Sequence, residues 1–477
     1  MPLLQGTASA RAYLAFFRDP IRYLRESQRE HGALHLLARP FGLPVAPRRY
    51  AFAYGPEHNR AVLGNPAVFK TSGQTLPGPR GSAQRRLRYG LTRSQGERHE
   101  RQRELVLPLF QRAAVDPMVP RMVELADALL ADWRTGERVD LDGEMRRLSL
   151  ALSTELLFGS ASPERARRVG QGIGEWLERS FSPRVWLFLV NLRGTPYRGL
   201  LRHAEQLEAE ILGLLRERRR ARASGDDVFA RLVQAHAAGE SWMDDRDLVG
   251  QAAILFAASF ETTAHALAWL WLLLAQHPIA TEGIAAEIEK QLGGAAPKSA
   301  EEFARMPLLD AALRESLRIL PAVPYTLRSV QRSASLGGVA LEKGDRVVLS
   351  HYVTHHLEDL YPRPREFRPE RWLEIRRSAY QYLPFSAGPR ACIGFSFATL
   401  AMKVVAVRVL QRFRLEVAAG TRIDPLVRVT LGPSSGIPAT LHAPGARLLP
   451  QPLAGSICEM VDFAAGGEGA GRVGRAR

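Results

Sequence analysis

Hydrophobic residues recur at three- and four-residue steps along much of the chain, which is the spacing of amphipathic helices. Helical patterns dominate from about Glu97 to Val233, with interruptions near "SPRV", "RGTPY" and "ASGDD". Nearer the start, "DPIRYLRESQREHG" has an Asp that can cap a helix, a Pro at the first helical position and a Gly after the last turn. We therefore expect a helix between Asp19 and Gly32, and a mainly α protein.

Short apolar or alternating segments flank the helical part. "ALHLLARPF" and "RRYAFAYG" precede it, and "RVVLSHYV" and "RFRLEV" follow it. Such segments are typical of strands, so small β-sheets are expected beside the helices. The chain has no repeats and no obvious internal boundary, so residues 1–450 are predicted to form one domain. Residues 451–477 end in a stretch rich in Gly, Ala and Arg, and we expect this tail to be flexible.

One long apolar segment could form either a transmembrane helix or a helix buried in the protein core. The 34 residues from Leu248 to Thr281 contain a single charge, Glu261. Their length allows a transmembrane helix, but an ionisable residue near the middle of a lipid-exposed span is costly. The apolar run Ala12 to Phe17 is too short for a signal peptide or an anchor. We therefore expect a buried central helix and no integral membrane segment.

Charge and cysteine content indicate which partners and which cellular location to expect. Lys and Arg number 65 against 49 Asp and Glu, a net charge of +16. This excess bears on partners rather than on fold. Without a zinc-knuckle spacing or an RNA-recognition motif, nucleic-acid binding is not expected. The two cysteines, Cys392 and Cys458, allow at most one disulfide, which favours a reducing, cytoplasmic location.

Cys392 lies in the loop "FSAGPRACIGFSF", directly before a long apolar helical pattern. Thiolates are stabilised by backbone N–H groups, helix N-termini and nearby cations. Gly388 permits a tight turn and Gly394 a close backbone approach, so the N–H groups after the cysteine are expected to point at its sulfur. Phe385 can cover the sulfur and Arg390 can bind an anion. These features suit a thiolate that binds a metal inside a large cofactor.

The spacing of Phe385, Gly388, Arg390, Cys392 and Gly394 resembles that of the cytochromes P-450, which are heme-thiolate monooxygenases. The resemblance implies the cytochrome P-450 fold, a helix-rich single catalytic domain with small β-sheets around a buried heme. It also implies heme b (iron protoporphyrin IX) as cofactor, Cys392 as the metal ligand, and cofactor contacts from Phe385, Arg390 and Gly394.

A predicted structural triad supports the same resemblance. In "LRESLRILP", Glu315 and Arg318 are three residues apart and therefore share a helix face. Such a pair is most often a surface ion pair. In the family, however, it forms a buried charge triad with an arginine from a segment like "FRPERW", here Arg371.

The central apolar helix contains Glu261 and Thr262 in "AASFETTAH". A purely structural interpretation is a helix kink, with the threonine hydroxyl hydrogen-bonded to a carbonyl of the preceding turn. By resemblance the two are catalytic: Thr262 donates a hydrogen bond at the oxygen-binding position and Glu261 relays protons. Ser259 stands where the family commonly has glycine, so a hydroxymethyl group could narrow the oxygen groove or form a hydrogen bond within it.

Four further side chains match heme-propionate positions of the family. His99 and Arg103 are one helical turn apart in "GERHERQREL", and two donors on one face suit a carboxylate. A solvated charged face is the alternative, because the neighbouring residues are mostly charged. Arg328 and Arg390 match the other positions.

The resemblance also implies a reaction and its partners. The protein is expected to insert one oxygen atom of O2 into a small apolar substrate, by hydroxylation or epoxidation. A ferredoxin or flavodoxin with its NAD(P)H-dependent reductase would supply the electrons, and the protein is expected to be a monomer. Alternatives are a P-450-like isomerase or dehydratase, a peroxide-using hydroxylase, and a non-enzymatic heme-binding sensor. The predicted substrate pocket comprises Ala258, Val323, Thr326, Ser435 and Ile437, with Gly436 between the last two.

Overall fold

Helices make up most of the fold, as the hydrophobic spacing predicts. The computed structural model describes residues 3–39, 48–72, 76, 78–159, 163–182, 184–185, 188–220, 227–237 and 244–463. The helices are α1 (Gly6–Arg18), α2 (Pro20–His31), α3 (Pro56–Leu63), α4 (Ala83–Arg86), α5 (Gly96–Val106), α6 (Arg112–Val115), α7 (Val119–Leu130), α8 (Leu141–Phe158), α9 (Pro163–Phe181), α10 (Pro196–Arg220), α11 (Val228–Ala237), α12 (Asp245–Ala275), α13 (Pro278–Leu292), α14 (Pro307–Ile319), α15 (His351–His355), α16 (Arg371–Glu374) and α17 (Phe395–Leu410).

The strands form one larger sheet and three small ones. They are β1 (Leu3–Leu4), β2 (Leu34–Ala38), β3 (Arg49–Ala53), β4 (Phe69–Thr71), β5 (Arg138–Asp140), β6 (Tyr325–Val330), β7 (Ala334–Leu336), β8 (Val339–Leu341), β9 (Arg346–Ser350), β10 (Arg414–Val417), β11 (Pro425–Val427), β12 (Leu431–Pro433) and β13 (Pro438–His442). The larger sheet has the order β1-β2-β3-β9-β6-β4, and the others are β10-β13-β5, β11-β12 and β7-β8. Within β9–β6, the antiparallel register pairs Arg328 with Val347.

Local sequence signals explain several element boundaries. The Asp19 carboxylate accepts the Arg22 N–H at 3.0 Å, and Pro20 opens α2 as expected. The segment "RVVLSHYV" was predicted to be one strand, but β9 ends at Ser350. The Ser350 hydroxyl caps α15 by accepting the Val353 N–H at 3.0 Å. A short polar cap therefore ends the strand before its apolar pattern ends.

The predicted central helix is buried, but it is shorter than the apolar run. Helix α12 ends at Ala275, and Pro278 begins α13. Its start is fixed by a capping box between Asp244 and Asp247. Among the described residues α12 alone is long and apolar enough to cross a membrane, and 72% of its most apolar window is buried. Trp269, near its C-terminal end, is fully buried and donates its indole N–H to the Leu431 carbonyl at 2.8 Å.

The packed domain extends beyond residue 450, where the sequence analysis began a flexible tail. Ile457 and Val461 are buried, and the Asp462 N–H donates to the Arg365 carbonyl at 2.9 Å. The Arg25 guanidinium donates to the Glu459 carboxylate at 2.8 Å. The domain therefore includes at least the residues up to 463. The rest of the predicted tail, 464–477, lies outside the described residues.

Candidate active site

Cys392 lies in a tight loop that ends directly before α17. The N–H of Cys392 donates to the carbonyl of Phe385 at 2.9 Å, which closes the loop. Gly388 has a φ of 75°, and a Cβ built there would lie 2.5 Å from the Leu63 carbonyl oxygen. Both the backbone conformation and the space therefore require glycine at this turn.

The Cys392 side chain is accessible on one side. Protein atoms surround the rest of its thiol group. Burial raises the pKa of the Cys392 thiol, while the N–H of Gly394 and the charge of Arg103 lower it. These two donors are the kind of group that stabilises a thiolate. The ring of Phe385 lies beside Phe395, edge to face, with centroids 4.9 Å apart. The sulfur is therefore enclosed by the loop but open on one side, as a metal ligand must be.

The four predicted propionate-binding residues form one electrostatic cluster. Burial and the charges of Arg390 and Arg103 lower the pKa of His99 to about 4. Burial and the charge of Arg390 lower the pKa of Arg328 to about 10. The pKa of Arg390 is lowered by burial and by Arg103. Helix α5, strand β6 and the cysteine loop thus bring three like-charged arginines together beside a histidine that is neutral at physiological pH.

No carboxylate balances this cluster within the part of the chain that the structure describes. Arg103 donates to the Ala391 carbonyl at 2.9 Å, and Arg390 donates through Nη2 to the Ser94 carbonyl at 2.6 Å. The Nη1 atom of Arg390 is buried and has no partner. Buried cations are normally paired, so this set is complete only with an anion. The two propionates of heme fit it in charge and in donor chemistry, beside the thiol that would bind the iron.

The central helix is open at Ala258, which is exposed although most of α12 is buried. Four residues later, the Thr262 hydroxyl donates to the Ala258 carbonyl at 2.7 Å. The Ser259 hydroxyl likewise bonds within the helix, to the Phe256 carbonyl at 3.2 Å. The structure thus contains the hydrogen bond from the threonine to the helix backbone that the purely structural interpretation expects. Its catalytic role stays a prediction.

Glu261 does not contact Thr262 but points toward α8. Its Oε1 atom lies 3.5 Å from Nη2 of Arg146, and its side chain is only 12% exposed. Burial raises the pKa of Glu261, and the charge of Arg146 partly offsets this. Sequence reasoning missed Arg146 because it lies on another helix and its local pattern is that of an ordinary i,i+4 ion pair with Asp142.

The predicted triad is assembled and buried. The Glu315 carboxylate accepts from Arg318 at 2.9 and 2.8 Å and from Arg371 at 2.8 Å. Burial alone would raise the pKa of Glu315, but Arg318 and Arg371 hold it below its usual value. Trp372, which the sequence analysis did not single out, adds an indole N–H at 2.8 Å. Every one of these donors serves the same carboxylate.

The predicted pocket residues differ in their surroundings. Val323 and Thr326 are half-buried, and Ser435 is exposed like Ala258. The Thr326 hydroxyl oxygen is buried without a partner. Ile437, in contrast, is fully buried in the core, and its side chain offers no surface to a pocket in this structure. Its backbone N–H donates to the Asp140 carboxylate at 2.7 Å, which explains this position.

An open thiol beside three arginines that lack a carboxylate partner among the described residues is what a heme held by a thiolate would require. The sequence profile of the cytochrome P-450 family matches residues 23–437, and the chain belongs to that family. It is therefore an oxidoreductase of the cytochrome P-450 monooxygenase class, with heme as cofactor. This membership confirms the expected family, fold class and enzyme class.

Individual proteins agree with this assignment. The chain is similar to cyclooctat-9-en-7-ol 5-monooxygenase of Streptomyces melanosporofaciens, with 29% identity over 89% of this chain and 90% of the relative. It is also similar to cyclooctatin synthase of the same organism, with 30% identity over 89% and 92%. Among solved structures, the retinoic acid-bound cyanobacterial CYP120A1 matches with a TM-score of 0.78 and 25% identity, over 90% of this chain and 96% of that one.

Proposed function

We propose that this protein inserts one oxygen atom of O2 into an apolar organic substrate, by hydroxylation or epoxidation. The second oxygen atom leaves as water, with two electrons from a separate carrier and two protons from the solvent. The observation that carries the proposal is the open thiol of Cys392 beside the four donors His99, Arg103, Arg328 and Arg390, which lack a carboxylate partner among the described residues.

Each group in this set has a proposed task. Cys392 would bind the iron of heme b, and the four cationic or donor side chains would bind its propionates. Heme held by a cysteinate supplies oxygen activation, because the thiolate donates electron density that favours O–O cleavage. Burial raises the pKa of the Cys392 thiol, and the Gly394 N–H and the Arg103 charge partly offset this, so both favour the thiolate form that would bind iron. Thr262 and Glu261 would deliver protons to the oxygen-binding position.

The proposed electron donor is a ferredoxin or flavodoxin with its NAD(P)H-dependent reductase. Such carriers are acidic, and a protein with a net charge of +16 can attract them electrostatically. We propose that the protein acts as a cytoplasmic monomer.

The substrate is proposed to be an isoprenoid. Two relatives are named for cyclooctat-9-en-7-ol and cyclooctatin, and the solved neighbour holds retinoic acid. The proposed pocket residues with open or half-open surfaces are Ala258, Val323, Thr326 and Ser435, which are small or only weakly polar. Such a surface favours apolar ligands with few hydrogen-bonding groups.

The experiment is an optical titration of the purified ferric holoenzyme with isoprenoids, steroids, fatty acids and macrolides. We expect a low-spin thiolate-heme spectrum that shifts toward high spin with isoprenoids. Turnover with a surrogate ferredoxin and reductase should then consume O2 and yield an oxygenated product. A protein that turns over only with peroxide, or never, would contradict the proposed reaction.

Two variants test the ligand itself. Cys392→Ala should lose the thiolate-type spectrum of the reduced CO complex, because no other side chain of that loop supplies sulfur. Cys458→Ala removes the other cysteine, which is far from the loop in sequence and donates to the Leu453 carbonyl. It should leave the spectrum unchanged. A thiolate spectrum that survives Cys392→Ala would overturn the assignment.

A further inference from the structure

A buried polar cluster lies between α8, α12 and the β11–β12 hairpin. We call it the Arg146 cluster, and it consists of Asp142, Arg146, Glu261, His265 and Thr430. Asp142, His265 and Thr430 are buried, and Arg146 is partly exposed. The cluster holds ionisable groups from two helices in the interior, where each unpaired group would be costly.

The hydrogen bonds of His265 define its protonation. The guanidinium of Arg146 can only donate, so the Nε2 atom of His265, 3.0 Å from Nη2, must accept. The Nδ1 atom therefore carries the proton and donates to the Thr430 hydroxyl at 2.7 Å. Burial and the charges of Arg146 and Arg428 lower the pKa of His265 to about 3. The imidazole is neutral at physiological pH, in one tautomer.

The chain makes room for this imidazole. A Cβ at Gly432 would lie 2.3 Å from the Nε2 atom of His265. The hairpin residue beside the ring is thus a glycine, and the ring occupies the space that a side chain would fill. His265 is therefore held by two hydrogen bonds and by the hairpin backbone.

Arg146 is held more tightly than Glu261. Its Nε atom donates to Asp142 at 3.1 Å, and its Nη2 atom donates to His265. The same Nη2 atom lies 3.5 Å from Oε1 of Glu261, which is a charge contact without a hydrogen bond. The other oxygen of Glu261, Oε2, is buried and has no hydrogen-bond partner. The Thr430 hydroxyl also lowers the pKa of this carboxyl group, so the carboxylate is attracted to Arg146 and to Thr430 without a hydrogen bond to the guanidinium.

We propose that Arg146, anchored by Asp142 and His265, is a positioning residue that keeps the Glu261 carboxylate on the α8 side of the central helix. The carboxylate must leave this contact before it can reach the Thr262 hydroxyl. This inference rests on the proposed function of Glu261 as a proton donor, and it adds the group that controls its position.

The charges around Glu261 predict the direction in which its pKa changes when Arg146 is replaced. The groups that influence the Glu261 carboxyl are Arg146 of α8, Glu178 of α9, and Thr430 and Arg428 of the hairpin. Asp142 and His265 contact Arg146 rather than Glu261. Burial raises the pKa of Glu261, and Arg146 is the largest influence that lowers it. Removal of Arg146 should therefore raise that pKa further.

The test is a pH titration of the Glu261 carboxyl group by infrared difference spectroscopy on the holoenzyme, with Glu261→Gln to assign the band. In Arg146→Gln the ratio of protonated to ionised Glu261 at a given pH should rise about tenfold or more, since an opposite charge at this distance shifts a carboxyl pKa by roughly 1–3 units. Arg146→Lys keeps the charge and should restore part of the wild-type titration.

Two further variants separate position from charge and from folding. His265→Gln leaves the net charge of the cluster unchanged, so a smaller shift in the same direction reports displacement of Arg146. Arg147→Gln is the matched control, because Arg147 is 55% exposed, pairs with Glu144 and belongs to the same helix. An equal shift in Arg147→Gln, or no shift in Arg146→Gln, would overturn the proposal.

A turnover measurement complements the spectroscopy. The pH at which electrons are diverted to peroxide should move with the infrared titration in Arg146→Gln, and this pH dependence should vanish in Glu261→Gln. The infrared titration needs neither substrate nor electron donor. Failure of the proposed reaction would therefore leave the titration result intact, and failure of the positioning proposal would leave the heme spectrum and turnover intact.

Discussion

Replacing Glu315 by Gln should destabilise the protein strongly. The Glu315 carboxylate accepts hydrogen bonds from Arg318, Arg371 and Trp372, and from the Arg368 N–H at 3.1 Å. Glu315 and Arg318 are fully buried, and Arg371 nearly so. The substitution keeps the size of the side chain but removes the only charge that balances the two guanidinium groups in these contacts.

The expected magnitude follows from burial. Breaking a buried ion pair costs about 3–5 kcal/mol, because an uncompensated charge remains in the interior. The same substitution at Glu366 provides a control, since its side chain is 37% exposed and lies 3.3 Å from Arg363, which is 61% exposed. Exposed pairs contribute only about 0–1 kcal/mol. Glu366→Gln should therefore have little effect.

Urea unfolding of the holoenzyme, followed by circular dichroism, measures both costs. The pKa of Glu315 is lowered in the folded state. The stability it contributes is therefore present above the unfolded pKa, about 4.3, and is lost as the pH falls through the folded value. The difference between wild type and Glu315→Gln should thus be constant near neutral pH and shrink under acid conditions. A difference below about 1 kcal/mol at neutral pH would show that the buried triad does not depend on the Glu315 charge.

Three other substitutions have expected outcomes. Arg328→Gln should release heme to apomyoglobin about tenfold faster or more, because a charged hydrogen bond contributes about 1.5–3 kcal/mol, whereas the exposed Arg332→Gln should match wild type. Gly388→Ala should lower heme retention and stability more than Gly445→Ala, since both have positive φ but only the first adds a backbone clash; equal effects would show that the clash is relieved. Trp372→Phe should cost about 1.5–3 kcal/mol in urea unfolding, and an unchanged midpoint would mean that the indole N–H does not stabilise Glu315.

Much of the local structure could be predicted because its causes are local. The Asp19 cap, the glycine turn at Gly388 and the helix after Cys392 each depend on neighbouring residues. The spacing around Cys392 was enough to indicate the family, since a cysteine ligand, its turn and its N–H donors must lie within a few residues. The same local logic was wrong for the predicted strand that crosses Ser350, where a side-chain cap outweighed an apolar pattern.

The residues available for the heme site can be read from the amino-acid sequence, whereas the pairing of charges across that site depends on how the helices and strands pack. His99 and Arg328 come from a helix and a strand that are far apart in the chain, and the charge of Arg390 lowers the pKa of both. Glu261 has no local partner, and its orientation toward Arg146 results from the packing of α8 against α12. Helical and turn propensities act over a few residues, whereas pairing of buried charges depends on distances that only the folded chain establishes.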